Sequence, residues 1–127
     1  MIRLLPGAQQ GVSILDASCS NGAIAGKLAE MGYQVTGIDF SEDGIAIARK
    51  AHPNVRFEVA SVYDDLRSIV DKVDVVVSSE VIEHLYYPQR YLKNIATIIR
   101  PGGCIILTTP YYGYLKNMAL SLNRVCV

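Results

Sequence analysis

Between Ser13 and Asp39 the chain passes through a short apolar run, a loop of small residues, a helical period and a second apolar run, and each apolar run stops at an aspartate. That succession is the unit from which parallel α/β sheets are built. Ile14 and Leu15 are strand formers, Asp16 closes the run, and Ala17-Ser18-Cys19-Ser20-Asn21-Gly22 turns into a helix carrying Ile24, Leu28 and Met31 at helical spacing. Gln34-Val35-Thr36-Gly37-Ile38 then forms the second strand, closed by Asp39, 23 residues after Asp16. In such a unit the first loop opens a helix N-terminus where nucleotide-like cofactors are held. A carboxylate at the tip of the second strand lies beside that loop, placed to accept both hydroxyls of a ribose.

The alternation continues to the end of the chain. Ser41 is an N-cap, Glu42 and Asp43 suit the positive end of the helix dipole, and the helix runs to about Ala51, where His52-Pro53-Asn54 breaks it. Val55 to Ala60 reads as strand three, Asp64 to Val70 as a short helix, and Val73 to Ser78 as strand four. The consecutive valines of strand four fit burial on both faces. Pro88 to Ile99 is the next helix, with Tyr91, Leu92, Ile95, Ile98 and Ile99 on one stripe and Pro101-Gly102-Gly103 as its stop. Cys104 to Thr108 is strand five, and Tyr114 to Leu122 has the period of a closing amphipathic helix. The expected fold is α/β, a doubly wound, Rossmann-like and mostly parallel sheet in one domain over residues 1–127.

Composition narrows the partners. Twelve basic residues balance twelve acidic ones, so no overall field draws the chain to nucleic acid or an anionic membrane. No apolar run reaches membrane-spanning length, and the N-terminal segment lacks a signal pattern. Cys19, Cys104 and Cys126 form neither a disulfide framework nor a metal spacing. Free thiols and a cytoplasmic location are expected.

The first loop distinguishes two cofactor classes. A dinucleotide fingerprint wants glycines at its first, third and sixth positions, where this chain has Ser18, Ser20 and Ala23. An acidic residue followed by small residues at alternate positions is satisfied by Asp16, Ser18, Ser20 and Gly22. This second spacing resembles motif I of the class I S-adenosylmethionine-dependent methyltransferases, Asp-x-Gly-x-Gly-x-Gly, with serine in two glycine positions. Serine carries a Cβ, so a positive φ there is strained. The resemblance implies S-adenosylmethionine as cofactor, held by Asp16, Ser18, Cys19, Ser20 and Gly22, with Asp39 on the ribose and Phe40 against the adenine. It also places Ser61 where the family has an adenine-binding aspartate, with the Val62 amide beside it. Asp64 and Asp65 are either substitutes for that aspartate or solvated carboxylates at a helix start.

Ser78-Ser79-Glu80-Val81-Ile82-Glu83-His84-Leu85 follows strand four, at the edge where open α/β sheets gather ligands. The segment resembles the Glu-x-x-Glu-His stretch of the ubiquinone-biosynthesis O-methyltransferase group, and Pro-Gly-Gly before strand five with Thr109-Pro110 after it strengthens the likeness. The resemblance implies Ser79 among the cofactor residues and the catalytic groups at Glu83 and His84. In a helical turn Glu80, Glu83 and His84 share one face, which can hold a divalent ion such as Mg or present a base. His84 is the natural base for a hydroxyl nucleophile. Tyr86, Tyr87, Tyr111, Tyr112 and Tyr114 follow strands four and five and suit an aromatic or apolar acceptor.

By the same resemblance the strand order is 3-2-1-4-5, and the chain ends before the family's last two strands. Strand five is then expected to be an unpaired apolar edge: either a partner or a second copy covers it, or the polypeptide is a fragment of marginal stability. Methyl transfer to a small-molecule acceptor, most simply at oxygen, is the leading expectation. The alternatives are a non-catalytic cofactor-binding or interaction module and a nicotinamide-dependent oxidoreductase.

Overall fold

The computed structural model describes residues 11–79, 85–108 and 122–126. In chain order the elements are β1 (Ser13–Ala17), α1 (Ala23–Glu30), β2 (Gln34–Asp39), α2 (Glu42–Ala51), β3 (Arg56–Val59), β4 (Val73–Ser79), α3 (Pro88–Ala96), β5 (Ile99–Thr108) and β6 (Leu122–Cys126). They build one sheet in the order β3-β2-β1-β4-β5-β6. The first five strands are mutually parallel, so the strand order expected for them is observed.

Side chains alternate across the sheet into two cores. On one face Ile14, Val75, Val77 and Ile106 meet Ala25 and Leu28 of α1 and Ile45 and Ala48 of α2. On the other, Leu15, Ala17, Val76 and Ile105 meet Leu66 and the α3 residues Tyr91 and Ile95. Val75, Val76 and Val77 are all buried, which is why β4 reads as a continuous apolar run and not an alternating one. At the amino edge the Asp74 carboxylate accepts from the Ser13 amide at 2.9 Å and pairs with Arg100 at 3.1 Å, joining β1, β4 and β5. These partners, the Ser13 amide foremost, hold its carboxyl below the ordinary carboxylate range.

The local signals succeed where one element decides its own limits. Ser41 Oγ accepts from the Gly44 amide at 3.1 Å, with Glu42 and Asp43 in the first turn, and α2 spans the expected residues. They fail where neighbours decide. The helix expected over 64–70 is a single 3-10 turn, Leu66–Ser68. The helix expected to reach Ile99 ends at Ala96, and Ile99 already belongs to β5. Pro101-Gly102-Gly103 therefore lies inside a strand, where the β4–β5 register slips between Val73 and Val75. A Cβ at Gly103 would stand 2.6 Å from the Asp74 carbonyl, so glycine lets the two backbones approach.

The largest correction concerns the outer edge. Strand five is not unpaired: β6 runs antiparallel to it, from Cys104 opposite Cys126 to Thr108 opposite Leu122. The chain itself supplies the cover for which a partner or second copy was invoked. The helix expected over 114–122 lies outside the described residues except for Leu122, which begins β6.

Candidate cofactor site at the carboxyl edge of the sheet

Ala17, Asp39, Val59 and Ser79 end four parallel strands at one edge of the sheet. The loop after β1 crosses that edge in a sharply turned path. Ser18, Ser20 and Gly22 have φ of 67°, 51° and 84°, so the alternate small positions read from the sequence are the left-handed ones. Each serine there carries strain on the order of 1 kcal/mol, since an L side chain crowds its own carbonyl at such angles. Asp39 offsets it. Its Oδ2 accepts from the Ser20 amide at 2.8 Å and from Ser18 Oγ at 3.4 Å, while Oδ1 accepts from the Ser41 amide at 2.9 Å. The Cys19 amide donates to the Ile38 carbonyl at 2.8 Å, strapping the loop to the end of β2. A Cβ on Gly22 would meet Ala48 and Phe57 at 2.9 Å, so no larger residue fits at the start of α1 without repacking.

Beneath this loop sits an unsatisfied carboxylate. Asp16 is buried, and its Oδ2 has no hydrogen-bond partner among the described residues. Burial, with the nearby charge of Asp39 second, pushes its carboxyl up to about 7. Ser78, near the end of β4, and Tyr91, in α3, carry further buried hydroxyls without hydrogen-bond partners among the described residues. Burial holds the Tyr91 phenol above its ordinary range; Ser78, close by but without good hydrogen-bond geometry, opposes the shift, and Asp16 adds to it. Sequence reading missed Ser78 and Tyr91 as polar groups of this region. The available signal was a tyrosine at a core position of α3 opposite a serine ending an all-valine run.

The residues expected around an adenosine lie along the same edge. Phe40 is 79% exposed, an aromatic face with nothing covering it. The Val62 amide donates to no group among the described residues, while its carbonyl accepts from Asn94 Nδ2 at 2.7 Å. Ser61 Oγ accepts from the Tyr63 amide at 3.1 Å. Asp64 is committed to the Ser61 amide at 2.8 Å, and Asp65 caps the 3-10 turn and pairs with Arg67. Both acids thus serve the loop after β3. Cys19 turns its side chain into the core, where burial pushes the thiol up to about 12, so it faces the edge through its backbone alone. Ser79 is placed as the last residue of β4, opposite Thr108. Glu80, Glu83, His84, Tyr111, Tyr112 and Tyr114 lie outside the described residues. No group of three metal-ligating side chains occurs among the described ones.

A family model described as a methyltransferase domain matches residues 15–107, from β1 to β5, and so spans the cofactor-site residues from Asp16 to Ser79. The chain belongs to the methyltransferase-domain family. Within it the chain groups with the class I, S-adenosylmethionine-dependent methyltransferases. It is 32% identical over 104 residues to a ubiquinone biosynthesis O-methyltransferase of Coxiella burnetii, covering 79% of this chain and 44% of that protein. The Bordetella avium protein of the same name is 30% identical over 112 residues, 85% of this chain and 46% of its own length. The chain thus spans less than half the length of these relatives. Among solved structures, a TehB-like SAM-dependent methyltransferase from Corynebacterium glutamicum superposes with a TM-score of 0.74 at 25% identity, over 90% of this chain and 64% of that one. An S-adenosylmethionine-dependent methyltransferase from Mesorhizobium loti gives the same TM-score and identity over 87% and 51%. The methyltransferase fold therefore holds for the sheet as a whole, not only for its first loop.

Proposed function

We propose that this chain binds S-adenosylmethionine along the carboxyl edge of its sheet and directs methyl transfer to a small-molecule acceptor, at oxygen. The observation that carries the reading is the buried, unpartnered Oδ2 of Asp16 beside the left-handed Ser18–Gly22 loop. An isolated buried carboxylate is costly and wants a cation or a donor. The cofactor's ammonium is such a group. Asp39 holds the loop through Oδ2, while its Oδ1 accepts a single bond and keeps a lone pair for a ribose hydroxyl. Exposed Phe40 and the Val62 amide, which has no acceptor among the described residues, offer an adenine a face and a donor.

When bound, the sulfonium supplies an activated methyl group with a good leaving group. The protein's task is to align an acceptor in line and remove its proton. His84 is assigned the base role and Glu83 its support, both from the sequence pattern; Glu80 completes the set that would take a divalent ion.

Calorimetric titration with S-adenosylhomocysteine and, separately, NAD tests this reading. Saturable binding of the first and none of the second is expected. A folded protein that ignores S-adenosylhomocysteine overturns it, and binding of NAD alone would favour an oxidoreductase.

A further inference from the structure

Arg90 stands apart from Arg49, Arg56, Arg67 and Arg100. Each of those pairs with a carboxylate. Among the described residues Arg90 has no carboxylate at ion-pair distance, and its guanidinium donates no hydrogen bond. It is held by rings instead. Its Cζ lies 5.4 Å from the Tyr63 ring centroid and 5.6 Å from that of Tyr87. The two rings meet at 71° with centroids 6.5 Å apart, forming a corner. The corner is itself fixed, because the Tyr87 amide donates to the Tyr63 hydroxyl at 3.2 Å and Asn94 ties α3 to the Val62 and Asp64 carbonyls.

A guanidinium stacked in an aromatic corner is orientationally restrained while its N–H donors stay free, a pre-organised fork for a planar anion. Arg90 is also in the first turn of α3, where the helix dipole disfavours a cation and no acidic residue compensates. An anion at the fork would relieve that repulsion. Space exists for one: Tyr86, Tyr87, Pro88, Gln89 and Arg90 line a shallow cavity of about 310 Å³. Tyr86 is 93% exposed there, so the cavity wall is aromatic beside the charge. In sequence the cavity begins at Tyr86, seven positions after β4 ends at Ser79 and two after the candidate base His84, and Tyr63 adjoins the Val62 amide assigned to the adenine.

We infer that Arg90, braced by Tyr63 and Tyr87, is the acceptor-recognition residue, and that the acceptor is an aromatic molecule bearing a carboxylate. The inference deepens the methyl-transfer reading and rests on it for the word acceptor. The carboxylate takes two parallel hydrogen bonds from the guanidinium, and the ring packs on Tyr86.

Benzoate and its neutral counterpart benzamide are the probes, titrated by NMR into the protein with and without S-adenosylhomocysteine. Saturable benzoate shifts centred on Arg90 and Tyr87, with benzamide at least roughly tenfold weaker, are expected, because a charge-assisted pair is lost in the amide. Arg90→Ala should weaken benzoate by about tenfold or more and Arg90→Lys by several-fold, since lysine keeps charge but not the planar fork. S-adenosylhomocysteine affinity should stay unchanged in both. Equal binding of benzoate and benzamide, full benzoate affinity in Arg90→Ala, or no benzoate binding at all would each overturn the inference. Arg90-dependent benzoate binding without any S-adenosylhomocysteine binding would keep the anion site and remove the methyl-transfer reading instead.

Discussion

Asp16 and Asp39 are the same residue type at the same edge of one sheet, and their surroundings give them different work. Asp39 is saturated with loop donors through Oδ2 and stabilises the left-handed serines. Asp16 is buried with one oxygen unpartnered, its carboxyl raised from 3.8 to about 7. Between these values the native chain holds a proton that the unfolded chain has released, so native stability declines as pH rises through that interval. The Asp16 contribution is complete below about pH 4 and lost by about pH 7, an effect on the order of a few kcal/mol. Asp74 is shifted downward and acts in the opposite sense, so wild type must be compared with Asp16→Asn. Without cofactor, Asp16→Asn should be the more stable protein at neutral pH, and the difference should vanish in acid; thermal melts across that range measure it. A constant difference would mean that Asp16 does not titrate in the native protein. If an ammonium occupies the site, binding must also release a proton near neutrality, read by calorimetry in buffers of unlike ionisation enthalpy.

At the scale of single elements, α2 was legible because its signals are local: an N-cap hydroxyl, two acids in the first turn and a Pro-Asn break. The small-residue spacing of the first loop was legible for a similar reason, since each left-handed position rejects bulk on its own account. The end of α3 was not legible, because Ile98 and Ile99 continue the helical stripe while pairing with Val73 draws Ile99 into β5. Tyr91 shows how much one position can conceal. Periodicity identified it as core, which it is, but said nothing of a hydroxyl buried without a partner. Tyr91→Phe removes that hydroxyl and keeps the ring, so stability should stay the same or rise by about 1 kcal/mol, whereas Tyr91→Ala should lose about 3–5 kcal/mol by leaving a cavity. Chemical denaturation separates these outcomes. A clear loss in Tyr91→Phe would show that the hydroxyl is satisfied in solution, by water or by Ser78.

At the scale of the molecule, the alternation implied a parallel sheet and the family likeness implied the order of its five strands, whereas neither implied the sixth strand. Nothing within 122–126 compels a strand; what compels it is the row of open backbone groups that β5 presents on the side away from β4. β5 carries Ile105, Ile106 and Leu107 on that margin, and such an edge pairs with whatever extended chain is at hand. Within the molecule β6 meets this demand at high effective concentration, since it is tethered to the end of β5 by a short stretch of chain. Deleting residues 122–127 should therefore leave Asp16 and Asp39 undisturbed, three and four strands away, while exposing β5. The shortened protein should retain its S-adenosylhomocysteine affinity at high dilution but associate at higher concentration, read as a concentration-dependent mass by light scattering. If it stays monomeric at every concentration, pairing by β6 is not what keeps β5 from other chains, and the side chains along that margin must do so themselves.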